Sequence, residues 1–471
     1  MLFDIIQKDM DDKNRHLSEE EILEITKKAM HKTFGDFGLD DSYNGRNKGG
    51  LGGFVEENVF KYSANSDDNP DFIDAGIELK VTPIKQNQNG TLSSKERLVL
   101  NMINYKSEAT RDFKTSSFYH KNRRLLIWFY LYSMGVHPSN FEITDYYLLE
   151  FENSLQYKVI ERDWNIIHDK IVKGRAHEIS ESDTEFLAAC TKGANSKVLV
   201  EQYGTDIKAK PRAYSFKSSF MTYIYRNMVH NIAPYLSIVS EDEWMKNPLE
   251  EIYKEKMSIY HGMTQQQLKR RFHIDSNPKQ LNYMLAQGML GLQKGQETTA
   301  ELEIAGITFR TITIDKNGRP TEGMPFGEFE FDELVNTPWD ESYIREDFVD
   351  LKMMIFVFKE IDGKISFDRI HFWNCPNSVV DGKVKKMHEE CAEMVRNGTA
   401  FYFNEKHQVR DRFPKEKRNG NDVCHVRPHT RVSATHYDLP VPDRETGITS
   451  YTRQSFWFNK DFVQKILEEK I

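Results

Sequence analysis

Apolar and polar residues alternate over residues 77–84, IELKVTPI, and a period of two predicts a β-strand. Ile77, Leu79 and Val81 fall on one face, Glu78, Lys80 and Thr82 on the other. An acidic turn containing Asp71, PDFIDAG, leads into it. The run EIAGITFRTITI, residues 303–314, repeats the pattern with the charged pair altered. LLIWFYLYSM at 125–134 is continuous and aromatic, about half the length of a membrane span, and reads as a buried strand. Strands are therefore expected near 75–83, 98–105 and 124–132, with helices between and after them. Helix starts are marked by HLSEEEILEIT at 16 and GMTQQQLKRRF at 262, where Ser or Thr stands ahead of Glu or Gln.

These patterns occur twice. DAGIELKVTPI (74–84) lies over IAGITFRTITI (304–314) at an offset of 230 residues. CTKGANS at 190 has a counterpart in CHVRPHT at 424, and YSFKSSFMTYI at 214 in YTRQSFWFNKD at 451. SSFYHKNRRLLIWFY at 116 aligns loosely with IREDFVDLKMMIFVF at 344. With the two helix starts, these matches keep one order and point to a tandem duplication. A chain of 471 residues also exceeds one ordinary core. The boundary is expected in NIAPYLSIVSEDEWMKNPLEE, residues 231–251, giving domains at 1–235 and 250–471.

Composition narrows the class. At 39% hydrophobic and 12% aromatic, the chain has the means to fold rather than stay disordered. A net charge of −8 speaks mildly against a nucleic-acid partner. Residues 190–230 reverse that sign locally: Lys192, Lys197, Lys208, Lys210, Arg212, Lys217 and Arg226 face only Glu201 and Asp206. Such a segment could follow a phosphate backbone, or be a solvated face. Cys190, Cys375, Cys391 and Cys424 are scattered and form no CxxC pair, so neither a disulfide framework nor a zinc site is expected. The N-terminus, MLFDIIQKDMDDKNRH, lacks the features of a secretory leader, and a cytoplasmic setting without a membrane anchor is expected.

Asp71, Glu78 and Lys80 form a D-x6-E-x-K pattern. Hydrolysing a phosphodiester needs a divalent cation, a water held in line and a group to activate it. Asp71 and Glu78 could supply two hard carboxylates, the Leu79 carbonyl a third oxygen, and Lys80 a contact to the water. On spacing alone the pattern is weak, and the solvent face of an amphipathic strand accounts for these residues better.

Context favours chemistry. KGGLGGFVEE (48–57), PDFIDAGIELKVTPI (70–84), SSKERLVLNMINY (93–105), SSFYHKNRRLLIWFY (116–130), and CTKGANS with DIKAKPRAYSFKSSF (206–220) together resemble the MutH family of DNA endonucleases. That family joins a mismatch-repair nicking enzyme to type II restriction enzymes that cut GATC, and the tandem arrangement looks like the Sau-three-AI type. The resemblance implies an α/β (α+β) fold of two tandem restriction-endonuclease-like, PD-(D/E)xK domains, each a mixed central sheet flanked by helices. It implies Mg2+-dependent cleavage of both strands of double-stranded DNA, with no small-molecule cofactor. Asp71 and Glu78, with the Leu79 carbonyl, match metal ligands, and Lys80 matches the catalytic lysine. Glu56 matches a helix glutamate of the acidic cluster; Lys48 and Lys121 match lysines near the cleaved phosphate. Thr191, Lys192 and Gly193 match the loop that reads bases, with Lys208, Lys210, Arg212 and Lys217 assigned to phosphates.

In the second copy Glu301 stands for Asp71, Thr308 for Glu78 and Arg310 for Lys80, with Ala286 near the place of Glu56. That set cannot rebuild a two-carboxylate site, whereas His425, Arg427 and His429 are donors able to read bases. The second domain is thus expected to bind DNA without cutting, as an effector or anchoring module, and the chain to dimerise on DNA. A mismatch-repair nickase and a catalytically silent DNA-binding regulator are the alternatives.

Overall fold

The computed structural model describes residues 14–40, 42–43, 50–63, 68–87, 90–151, 154–192, 198–232, 236–293, 295–349, 351–416, 420–428 and 436–470. Lys48, Gly193 and His429 lie outside the described residues. The chain divides into two compact units, residues up to Lys246 with Glu303–Gly306, and Asn247–Leu302 with Ile307–Ile471.

The first unit opens with α1 (Glu19–Ala29), whose start is fixed by a capping box. The Glu21 N–H donates to Ser18 Oγ at 3.3 Å, and the Ser18 N–H donates to Glu21 Oε2 at 2.8 Å. There follow α2 (Gly50–Asn58), β1 (Glu78–Gln86), β2 (Leu92–Ser94), β3 (Leu98–Met102), α3 (Tyr105–Glu108), α4 (Ser117–Asn122), β4 (Arg124–Tyr132) and β5 (Ile143–Glu150). The unit continues through α5 (Leu155–Val172), β6 (Leu187–Thr191), β7 (Val200–Gln202), β8 (Thr205–Ala209), β9 (Arg212–Phe216), α6 (Ser218–Tyr223) and α7 (Glu241–Lys246).

Two sheets carry this unit, in the orders β2-β1-β4-β5 and β3-β9-β6, beside a β7-β8 hairpin. β1 and β4 are parallel, with Glu78 opposite Leu125, and the other pairings are antiparallel. The expected strand at 98–105 stops at Met102, because Asn104 caps α3 through its side chain. Leu125 to Phe129 are all fully buried, as a continuous apolar run in an interior strand should be. The first unit also runs past the expected end at 235. In α7, Trp244 is buried and donates from Nε1 to Glu185 Oε2 at 2.7 Å, and Arg162 donates to its carbonyl at 2.9 Å.

The second unit contains α8 (Leu249–Ser258), α9 (Gln265–Arg271), α10 (Leu281–Met289), the first residues of α11 (Ala300–Ala305, whose Glu303–Ala305 belong to the first unit), β10 (Ile307–Ile314), β11 (Met324–Phe329), α12 (Phe331–Asn336), α13 (Tyr343–Val349), β12 (Lys352–Ile361) and β13 (Lys364–Asn374). After these come α14 (Lys385–Arg396), β14 (Phe401–Phe403), β15 (Val409–Asp411), β16 (Cys424–Pro428), β17 (His436–Asp438), β18 (Ser450–Thr452), β19 (Gln454–Phe458) and α15 (Lys460–Leu467). Its sheets run β10-β12-β13 and β11-β19-β16, with β14-β15 and β17-β18 as hairpins.

The two topologies share a frame, β1-β4-β5 with β10-β12-β13 and β3-β9-β6 with β11-β19-β16, while β2 and the β14-β15 hairpin stand outside it. β10 lies parallel to β12 as β1 does to β4, and Thr308 faces Met353 as Glu78 faces Leu125. Thr264 and Gln267 box the start of α9 as Ser18 and Glu21 box α1. Gly76 and Gly306 take the left-handed conformation, φ 63° and 67°, at the same step into the strand. Register corrects two of the sequence pairings. Leu187 faces Phe216, and Cys424 faces Phe458, so LAACT aligns with CHVRP and Arg427 corresponds to Cys190. Likewise YSFKSSF at 214 corresponds to FWFNKDF at 456, since each places its phenylalanine at a strand end ahead of a helix. Among the described residues no helix is long and apolar enough to cross a membrane, and all four cysteines are free and buried.

Candidate active site

The carboxylates converge because the acidic turn folds back on the strand it feeds. Phe72 and Ile77 exchange backbone hydrogen bonds of 2.9 and 3.1 Å, closing a small loop around residues 73–76. Asp71 is thereby set beside Glu78. The Asp71 N–H donates to Glu78 Oε2 at 3.1 Å, and the Leu79 N–H donates to Asp71 Oδ2 at 2.8 Å. Arg15 braces the turn from outside, donating to the carbonyls of Asp71 and Pro70 at 3.1 and 3.2 Å. Lys80 forms an ion pair with Glu78 Oε1, and Lys121 Nζ stands 3.9 Å from the same oxygen. Lys121 arrives there because α4 ends just before β4, whose parallel pairing starts opposite Glu78. Glu56 projects from α2, which packs against β1, whereas its neighbour Glu57 is exposed.

β1 is not a surface strand. Glu78 and Thr82 are as buried as Ile77 and Leu79, so both faces of the strand are closed off from solvent at these positions. Burial, reinforced by Asp71, pushes the Glu78 carboxyl up to about 7 in spite of Lys80. Glu56 is likewise raised to about 7, by burial and then by Asp71. Burial alone would lower Lys80, but Glu78 and Asp71 outweigh it and hold the ammonium above its ordinary value. The cluster thus gathers three carboxyl groups, and burial favours the protonated forms of Glu56 and Glu78. Among the described residues no three Asp, Glu, His or Cys side chains meet closely enough to hold a metal alone. Asp71 and Glu78 nonetheless stand side by side as two hard carboxylates, the sparse kind of set magnesium takes with water completing its shell. Tyr62, which no sequence motif marks, fits that picture: its buried hydroxyl has no hydrogen-bond partner among the described residues.

The residues assigned to DNA separate into two groups. Thr191 ends β6, its N–H donating to Glu181 Oε1 at 3.1 Å, and the Lys192 N–H donates to the Pro211 carbonyl at 2.7 Å. Glu181, buried and paired with Arg97, shapes this loop mouth and was not legible beforehand. Lys208 is exposed on β8 and Lys210 half-buried. Arg212 and Lys217 must be reassigned. Arg212 is 2% exposed and gives its guanidinium to the carbonyls of Ala189 and Ile179; Lys217 is 3% exposed and donates to the Thr184 carbonyl. Both hold the fold together and reach no phosphate.

The second unit keeps the frame and spends its polar groups elsewhere. Thr308 is exposed, and Glu301 accepts from the Tyr253 hydroxyl at 2.7 Å. Burial lowers the Arg310 pKa, and Ala286 is buried in α10. His425 is also reassigned: it is 3% exposed and its Nδ1 lies 2.7 Å from Asn459 Oδ1, so it fastens β16 to the start of α15. Arg427 stacks on Trp457, with the guanidinium carbon 3.6 Å from the ring centroid.

The family described as DNA mismatch repair enzyme MutH matches residues 60–163, a span that contains Asp71, Glu78, Lys80 and Lys121. MutH of Serratia proteamaculans is 30% identical over 37% of this chain and 75% of its own, and that of Yersinia enterocolitica 29% over 36% and 73%. The type II restriction enzyme Sau3AI of Staphylococcus aureus is 37% identical over 88% of this chain and 91% of its own, both units included. The chain therefore belongs to the Sau3AI family of type II restriction endonucleases, which is built on a MutH-related nuclease domain.

Proposed function

We propose that this restriction endonuclease acts in the cytoplasm, cutting both strands of double-stranded DNA at GATC with Mg2+, the first unit cleaving and the second holding DNA. The observation that carries this reading is the pairing of Asp71 with Glu78 across one closed turn, with Lys80 on the same strand face. Asp71, Glu78 and the Leu79 carbonyl would hold the cation. When bound, it supplies positive charge against the charge growing on the scissile phosphate.

The protein's own groups do the rest. Lys80, kept protonated by its carboxylate neighbours, orients the attacking water by donation and becomes a base only on losing that proton. Lys121 faces the same oxygen from the end of α4, placed to meet a phosphate oxygen. Glu56 deepens the acidic cluster from α2. Thr191 and Lys192 open the base-reading loop, and the exposed Lys208 meets backbone phosphate. One cleaving unit per chain requires two chains, or two successive nicks, for a double-strand break; we infer dimerisation on DNA.

The test is digestion of a sequenced plasmid by the purified full-length chain with magnesium chloride alone, with fragment ends mapped. Double-strand ends at GATC support the reading. Single-strand nicks that need a partner protein would favour the nickase instead. Glu78→Ala should lower cleavage by about a thousandfold or more. Sedimentation of the chain with one-site and two-site duplexes should show a two-chain complex.

A further inference from the structure

Tyr62 stands just beyond α2, tied to both sides of the acidic cluster. Its N–H donates to the Glu56 carbonyl at 3.1 Å, and its ring meets Phe72, the neighbour of Asp71, edge-on at 5.7 Å. The side chain is 1% exposed. Its hydroxyl is sealed from solvent and has no hydrogen-bond partner among the described residues. The charged groups acting on it are Asp71, Glu56 and Glu78, opposed by Arg15. A buried hydroxyl left unpaired is uncommon and points to a water or ion that completes it. A phenol both donates and accepts, so it can bridge a carboxylate and a water.

We propose that Tyr62 is a positioning residue for the cation: its hydroxyl anchors a water of the hydrated ion against the Asp71, Glu56 and Glu78 carboxylates. The proposal rests on the metal-site reading above. Magnesium sheds water reluctantly and needs outer contacts to hold the waters it keeps, and this buried hydroxyl, tied by its backbone to Glu56 and by its ring to Phe72, has no partner among the described residues. Nothing in the covalent chemistry passes through Tyr62; it acts through cation affinity.

The experiment uses the full chain and Tyr62→Phe, with magnesium chloride alone as the probe, in thermal unfolding and isothermal titration. Without the cation, Tyr62→Phe should melt at or above the parent, because it loses only an unpaired hydroxyl. With the cation, its rise in Tm should be smaller and its Kd weaker by about tenfold. Cleavage at saturating magnesium should approach the parent rate, so the defect lies in affinity and not in turnover. Equal cation affinity in parent and variant would overturn this inference alone. A parent that binds no cation, like Glu78→Gln, would overturn the site reading with it.

Discussion

Glu78 is the residue on which the folded chain works hardest. Its carboxyl is raised from 4.5 to about 7 by burial, so the folded state holds that proton more tightly than the unfolded chain. The stabilisation is complete below about 4.5 and is lost as pH rises through about 7. In the absence of a cation, stability should therefore fall across that window, and magnesium should restore it. The shift from 4.5 to about 7 corresponds to roughly 3 kcal/mol at most. Glu78→Gln should make the profile shallower, leaving the share of Glu56, and melt above the metal-free parent at pH 8; chemical denaturation across pH measures both. Lys208 and Arg212 make a second contrast. Lys208→Ala should reduce the slope of log affinity against log salt by about one, with stability unchanged. Arg212→Ala should cost about 2–4 kcal/mol of stability by stranding the Ala189 and Ile179 carbonyls. Asp71, Glu78 and Lys80 were readable in the sequence because a turn and a strand are local. Arg212, Lys217 and His425 were not: their partners, Ile179, Thr184 and Asn459, lie some thirty residues away in the chain, and only the fold decides which basic residues face water.

At the level of elements, alternation located β1 and put Glu78 and Leu79 on opposite faces, but it could not reveal that β2 and β4 flank the strand or that Glu78 and Thr82 on its polar face are buried too. The turn before it depends on one backbone conformation. Gly76 sits at φ 63°, and a Cβ there would come within 3.2 Å of Arg123 Nη2. Gly76→Ala should cost about 1 kcal/mol or more in stability. It should weaken cation binding as well, since the same turn sets Asp71 against Glu78; titration and unfolding read the two effects separately. Pairing of β6 with β16 by their cysteines was misplaced for a related reason. Strand register is anchored by facing residues, Phe216 and Phe458, which similarity along a single segment does not contain.

For the whole molecule, the duplication was legible because topology outlives chemistry: strand order persists where ligands have been exchanged. Reverting one residue should not revive the second unit. Thr308→Glu in a Glu78→Ala background should remain uncleaving in a plasmid assay, because Glu301 is already engaged by Tyr253 and Ala286 replaces the third carboxylate. The parallel pairing of β1 with β4 bears on how the protein is made. A parallel pair cannot be closed by a tight turn; it needs the whole crossover between its strands. Glu78 therefore meets Lys121 and Leu125 only after that crossover has been synthesised and packed. A nascent chain that ends short of Leu125 has its acidic turn but neither Lys121 beside Glu78 nor the β4 partner of β1.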